Sequence, residues 1–124
     1  MPQNRGFNCP VEAALAVIGG KWKILILCRL HEGVARFNEL RRDISGISQR
    51  VLTQQLRELE RDGIVSRVAY PDGSPGVEYA LTDLGRSLGP VMDTLGAWGQ
   101  HYEEVLQPDA GPAAPAPRKI LQSA

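Results

Sequence analysis

From Phe37 to Leu81 the chain reads FNELRRDISGISQRVLTQQLRELERDGIVSRVAYPDGSPGVEYAL, and this stretch decides the fold. Phe37, Leu40 and Ile44 form one apolar stripe at helical spacing. Ser45-Gly46-Ile47 interrupts it, and a second helical pattern then sets Leu52, Leu56 and Leu59 on one inner face. Gly63 closes that helix. Ile64 to Tyr70 reads as a strand, Pro71-Asp72-Gly73-Ser74-Pro75-Gly76 as a turn, and Val77 to Leu81 as a returning strand. Two short helices, a glycine turn and a hairpin in this order make a winged helix-turn-helix, with Asp72, Gly73, Ser74, Pro75 and Gly76 in the tip of the wing.

The outer face of the second helix carries the chemistry. Gln49, Arg50, Thr53, Gln54 and Arg57 lie there, and these side-chain types hydrogen-bond base edges or phosphates from a helix lying in a major groove. Ser48 suits the N-cap, which aims helix-terminal N–H groups outward where a phosphate can meet them. The expected division puts Arg50, Thr53 and Gln54 on bases. Ser48 and Arg57, with Lys23 or Arg36, then hold phosphates. The competing reading is a winged-helix module used only for protein contacts, because fold does not fix function. Exposed Leu or Phe on this face would favour that reading, whereas Arg, Gln and Thr favour duplex DNA.

Outward from this unit the pattern stays mainly helical. Pro10 suits the first position of a helix whose stripe of Val11, Leu15 and Ile18 stops at Gly19-Gly20. Lys21-Trp22-Lys23 opens a second segment, apolar on every face through Ile24 to Cys28, whose run to His31 is long for a strand and reads as a helix. Val34-Ala35-Arg36 offers a short third strand beside the wing. After the wing, Thr82 or Asp83 caps a last helix along which Leu84, Leu88, Val91, Leu95, Trp98, Tyr102 and Val105 recur at spacings of three and four. Pro90 lies inside this stripe and is expected to bend the helix without ending it, because the stripe resumes in register beyond it. A body this small cannot cover so long a stripe, so Leu88, Val91, Leu95, Trp98 and Tyr102 are expected to form a homodimer interface. The expected organisation is a flexible start over residues 1–8, one domain over 9–107 and a disordered Ala/Pro-rich tail over 108–124.

The net charge of zero conceals an asymmetry. Gly19 to Arg67 holds ten Lys or Arg against six Asp or Glu, whereas Val68 to Gln107 holds one Arg against six acids. A basic helical half supplies the electrostatic footprint that DNA binding needs. No apolar run approaches a membrane span, and the start lacks the features of a signal peptide, so the expected location is the cytoplasm, with the nucleoid. His31 and His101 are the only histidines, neither in a ligand spacing, and no glycine-rich phosphate loop follows a strand, which argues against an enzyme, a cofactor or a bound metal. Cys9 and Cys28 match no zinc or disulfide framework.

Several separated motifs together resemble the HxlR-type branch of the winged-helix transcriptional regulators. Cys9-Pro10-Val11, Gly19-Gly20-Lys21-Trp22 and Arg36-Phe37-Asn38-Glu39-Leu40 come first. Ile47-Ser48, Leu52-Thr53, the run from Leu56 to Val65, the run from Val77 to Gly85, and Trp98-Gly99 follow in order. The resemblance covers about Cys9 to Tyr102 and implies a dimeric repressor or activator, with the reader helix in the major groove and the wing over the adjacent minor groove; two reader helices related by a two-fold axis then call for an imperfect inverted-repeat operator. That family often carries a basic residue after the proline that precedes Val-Glu-Tyr; here Gly76 follows Pro75, so the wing tip lacks that cation.

The resemblance also implies that some members sense electrophiles through the cysteine that is Cys9 here. Its own position, just before Pro10 at a helix start, favours a thiolate through the exposed N–H dipoles. A small buried hydrophobe is the alternative for Cys9, and core packing is the expectation for Cys28. Trp22 and Trp98 read as packing residues, either of which can also line a small-molecule effector pocket between the last helix and the body.

Overall fold

The computed structural model describes residues 6–107. Along the chain these form α1 (Pro10–Ile18), α2 (Lys21–Leu30), β1 (Ala35–Arg36), α3 (Phe37–Asp43), α4 (Gln49–Arg61), β2 (Val65–Ala69), β3 (Val77–Leu81), α5 (Asp83–Arg86) and α6 (Gly89–Leu106). The expected tail over 108–124 and residues 1–5 of the expected flexible start lie outside the described residues. The architecture is a winged helix-turn-helix with a long C-terminal helix.

Burial follows the apolar periodicity. Leu40 and Ile44 from the α3 region, Leu52, Leu56 and Leu59 from α4, and Ile26, Leu27 and Leu30 from α2 close one core with Val65, Tyr79 and Leu81 of the sheet. Seven of these side chains are fully buried or nearly so, which is why α2, α3 and α4 hold fixed angles to one another. The turn between α3 and α4 needs Gly46, whose φ of 85° is open to glycine and strained for other residues.

The sheet has the order β1-β3-β2, antiparallel throughout. Its register sets Ala35 opposite Tyr79, Arg36 opposite Glu78 and Val65 opposite Leu81. The short third strand read from Val34-Ala35-Arg36 is therefore real and runs directly into α3. Two ion pairs tie the helices together: Arg29 Nε donates to Asp43 Oδ2 at 2.8 Å, joining α2 to α3, and Lys23 Nζ lies 2.6 Å from Glu58 Oε1, joining α2 to α4.

The C-terminal segment departs from the single bent helix that the stripe suggests. The helix stops after Arg86, turns through Ser87 and Leu88, and restarts at Gly89. Pro90 has no N–H to give to the carbonyl of Arg86, and its ring excludes that carbonyl from helical position. In the first turn of α6 the missing donor costs nothing. The junction is instead secured locally, with Leu88 N donating to Gly85 O at 3.1 Å and Arg86 Nη1 donating to Leu81 O at 3.0 Å. Thr82 caps α5 as expected, its hydroxyl accepting from Gly85 N at 3.0 Å and donating to Gly63 O at 2.7 Å.

Candidate nucleic-acid interface

The α4 helix begins where Ser48 Oγ accepts the Val51 N–H at 3.1 Å, so one of the orphan donors of the first turn is satisfied and the others point outward. Its inner residues are buried while Gln49, Arg50, Gln54 and Arg57 are exposed and Thr53 is half-buried. Together with Arg61 and Glu58 they line an open groove of about 650 Å³ along the helix. Glu58 is the acid on this face. Its carboxyl is held below the usual range by the hydrogen bond and charge of Lys23, with a weaker bond from Gln54 Nε2 at 3.4 Å. The negative charge is thus neutralised from behind, leaving a face of Gln, Thr and three arginines.

Lys23 does not join that face, contrary to the expectation from sequence. Its side chain is 12% exposed and lies between α2 and α4, paired with Glu58. Arg36 fares differently. It is exposed at the N-cap of α3, its backbone N–H donates to Glu39 Oε1 at 2.8 Å, and its guanidinium lies over the Tyr70 ring, 4.3 Å from the centroid. Such a contact contributes about 0.5 to 1 kcal/mol at an exposed site.

The wing tip spans Tyr70 to Gly76 and is wholly exposed from Pro71 onward. Asp72 Oδ1 accepts the Ser74 N–H at 2.9 Å, an Asx turn that fixes the tip, and the hydrogen bonds from Ser74 hold the Asp72 carboxyl below its ordinary range. Gly76 has φ 111°, and a Cβ there would stand 3.1 Å from Tyr70 Cε2. Tyr70, Arg61 and Arg42 were not singled out by sequence reasoning. Arg61 was legible, since it continues the outer face of α4 four residues beyond Arg57; Tyr70 at a strand end carried no such signal.

The HxlR-like helix-turn-helix family model matches residues 17–107. The chain belongs to that family. An uncharacterised helix-turn-helix transcriptional regulator of Bacillus subtilis, YtcD, is 50% identical over 100 residues, which cover 81% of this chain and 79% of that protein. Among solved structures, the redox regulator HypR in its reduced form superposes with a TM-score of 0.74 at 49% identity, covering 81% of this chain and 99% of HypR. The reduced form of the regulator YodB from B. subtilis gives a TM-score of 0.71 at 36% identity, covering 80% and 98%. This HxlR-like protein is a transcriptional regulator with a helix-turn-helix fold, and it is not an enzyme.

Two further features of the regulator bear on the expectations from sequence. Cys9 is exposed in this chain at the N-cap of α1, where its carbonyl accepts from Glu12 N at 3.0 Å. Cys28 is half-buried with its Sγ 3.9 Å from Met92 Sδ, and burial, followed by the nearby charges of Glu32 and Asp93, pushes its thiol pKa up. On α6 only Met92 is buried, while Val91, Leu95, Trp98, Tyr102, Val105 and Leu106 are exposed. Leu88, expected at the interface, packs in part against the chain's own core. Trp98 and Tyr102 stack with centroids 5.3 Å apart, and Val11 and Leu15 of α1 add a second exposed apolar strip. Among the described residues no helix is long and apolar enough to cross a membrane, and no group of His, Cys, Asp and Glu has metal-site geometry.

Proposed function

We propose that this regulator binds an inverted-repeat operator as a symmetric homodimer, with α4 in the major groove and the wing beside the adjacent minor groove, acting as a cytoplasmic, nucleoid-associated repressor. The observation that carries this reading is the outer face of α4, where Arg50, Gln54, Arg57 and Arg61 stand exposed on a helix locked to the core by Leu52, Leu56 and Leu59. Arg reaching guanine O6 and N7, and Gln reaching adenine N6 and N7, are the direct-readout pairings that such a face supports.

Dimerisation is supported by the exposed stripe of α6 and the strip on α1, since monomers rarely expose contiguous apolar patches of this kind. A two-fold axis then sets the reader helices about one helical turn of DNA apart. The response to oxidants or electrophiles rests on Cys9, exposed at a helix start, and on the likeness to HypR, a named redox regulator. Selection from a random duplex pool by the purified protein tests the central claim. Recovered sequences should share an imperfect inverted repeat, and equal affinity for that duplex and its scrambled version at physiological salt would remove the specific-regulator reading.

A further inference from the structure

Between Val68 and Val77 the chain has no Lys or Arg, and Asp72 is the one charged residue of the wing tip. An element of that charge, laid along DNA on its own, is repelled by the phosphates. The structure supplies a cation from elsewhere. Arg36, at the junction of β1 and α3, lays its guanidinium on one face of Tyr70 at 4.3 Å, and Tyr70 in turn covers the backbone of Gly76, where a Cβ would come within 3.1 Å of the ring. Tyr70 thus touches both Arg36 and the Gly76 backbone, joining the wing base to the start of α3.

Arg36 is not consumed by a carboxylate. It forms no ion pair among the described residues: Glu78 stands opposite it across the β1 to β3 ladder without pairing, and the Asp72 carboxylate accepts from Ser74, the Arg36 charge adding only the last of the influences that lower its pKa. The groove of about 510 Å³ between α3 and the wing is lined by Arg36 and Arg42 together with Asn38, Tyr70 and Gly76, and by one acid, Glu39, whose carboxylate accepts the Arg36 backbone N–H.

Resting on the DNA-binding reading above, we propose that Tyr70 is a positioning residue: it holds the Arg36 guanidinium in place as the wing's cation for a phosphate of the duplex. A stacked, planar guanidinium keeps its donors free at the edge while the face is occupied, and it enters the complex with its rotamer already chosen. Gly76 suits the device because its φ of 111° strains other residues and a Cβ there would press on the ring at 3.1 Å.

The test uses the full chain and a duplex recovered from a random pool by the wild-type protein, with affinity measured across a salt series. Arg36→Gln should reduce the slope of log affinity against log salt by about 0.9 per protomer. Tyr70→Phe should bind as wild type does, Tyr70→Leu should weaken binding to the level of Arg36→Gln, and the double variant should be no weaker than either single one. Additive losses, or Tyr70→Leu binding as wild type does, overturn the proposal. If Tyr70→Leu fails to fold, Arg36→Gln at an exposed position still decides, since an unchanged salt slope there is equally fatal. Wild-type protein that retains no duplex overturns the underlying DNA reading, whereas wild-type binding with unaltered variants overturns this inference alone.

Discussion

The ammonium of Lys23 on α2 lies 2.6 Å from the Glu58 carboxylate on α4, with both side chains largely withdrawn from solvent. One residue of the reader helix is thereby committed to holding that helix in place. A partly buried pair broken on one side leaves an uncompensated charge. Lys23→Met should therefore lower the thermal unfolding midpoint and weaken DNA binding through the uncovered Glu58 charge, without the loss of salt slope that removal of a phosphate contact brings. Arg57→Ala should do the reverse, keeping the midpoint and lowering the salt slope by about 0.9 per protomer. A Lys23→Met protein whose salt slope falls as that of Arg57→Ala does would return Lys23 to the phosphate-binding set.

Acid should unfold the protein partly through two of its ion pairs. The Asp43 carboxyl is held below its usual range chiefly by the hydrogen bond from Arg29, with the charges of Arg29 and Arg42 adding to it, and Glu58 is lowered by Lys23. A carboxylate depressed in the folded state contributes stability above its unfolded value, about 3.9 for Asp and 4.3 for Glu, and loses it as pH falls through the folded value. Urea midpoints should accordingly fall below about pH 4 and show no change from these groups between about pH 6 and 8. Asp43→Asn should lower the midpoint at neutral pH and flatten the acid limb; an acid limb as steep as that of wild type would mean that other carboxylates govern it.

The reader unit was legible because its signals are local. Gly46 and Gly63 punctuate it, Leu52, Leu56 and Leu59 repeat at helical spacing, and the wing tip is written in Pro, Asp and Gly. The break at Ser87 and Leu88 was hidden for a physical reason. Leu84, Leu88 and Val91 keep helical register across it, so the periodicity runs on although Pro90 forbids the continuous hydrogen-bond ladder. In the fold Leu84 is exposed and Leu88 half-buried, so the stripe is not one face. Met92 was missed as the anchor of α6, although it follows Leu88 by four residues. The pairing of Lys23 with Glu58 and the stack of Arg36 on Tyr70 join residues thirty or more positions apart. Helical spacing alone does not carry that information.

Base reading should concentrate at Arg50. It is exposed near the start of α4, one turn before Gln54, the part of a recognition helix that enters deepest into a major groove. Arg50→Ala should cost about 1 to 3 kcal/mol on the selected duplex and relax specificity at one position per half-site. Binding to every single-base variant of the half-site in competition assays checks this, and a uniform loss across all variants would reassign Arg50 to the phosphate backbone.

Association should depend on the exposed side of α6. Trp98 is 61% exposed and stacks on Tyr102, so its removal takes nothing from the chain's own core. Aromatic anchors of this kind are typical interface hot spots, and Trp98→Ala should weaken the dimer by about 2 kcal/mol or more. Sedimentation at several concentrations should show dissociation of the variant with its helical content retained. A wild-type monomer that still protects a two-fold-symmetric site with full affinity would exclude the dimer.

The two cysteines should separate cleanly in reactivity, and with them the question of a sensor. Thiol–disulfide exchange proceeds through the thiolate and requires access. Cys9 is exposed at the N-cap of α1, on the same element as the apolar strip of Val11 and Leu15, whereas Cys28 is half-buried against Met92 with its pKa raised by burial and by Glu32 and Asp93. A chromogenic disulfide reagent at neutral pH should therefore consume one thiol rapidly and the second only at the rate of opening, and Cys9→Ser should remove the rapid phase. Because a dimer reads two half-sites at a fixed separation, tilting α1 against a dimer partner would move both reader helices out of register together. Diamide should then lower the operator affinity of wild type and leave Cys9→Ser unchanged. An equal response from Cys9→Ser would place the sensing group elsewhere in the molecule, and no response from wild type would leave Cys9 without a sensing role.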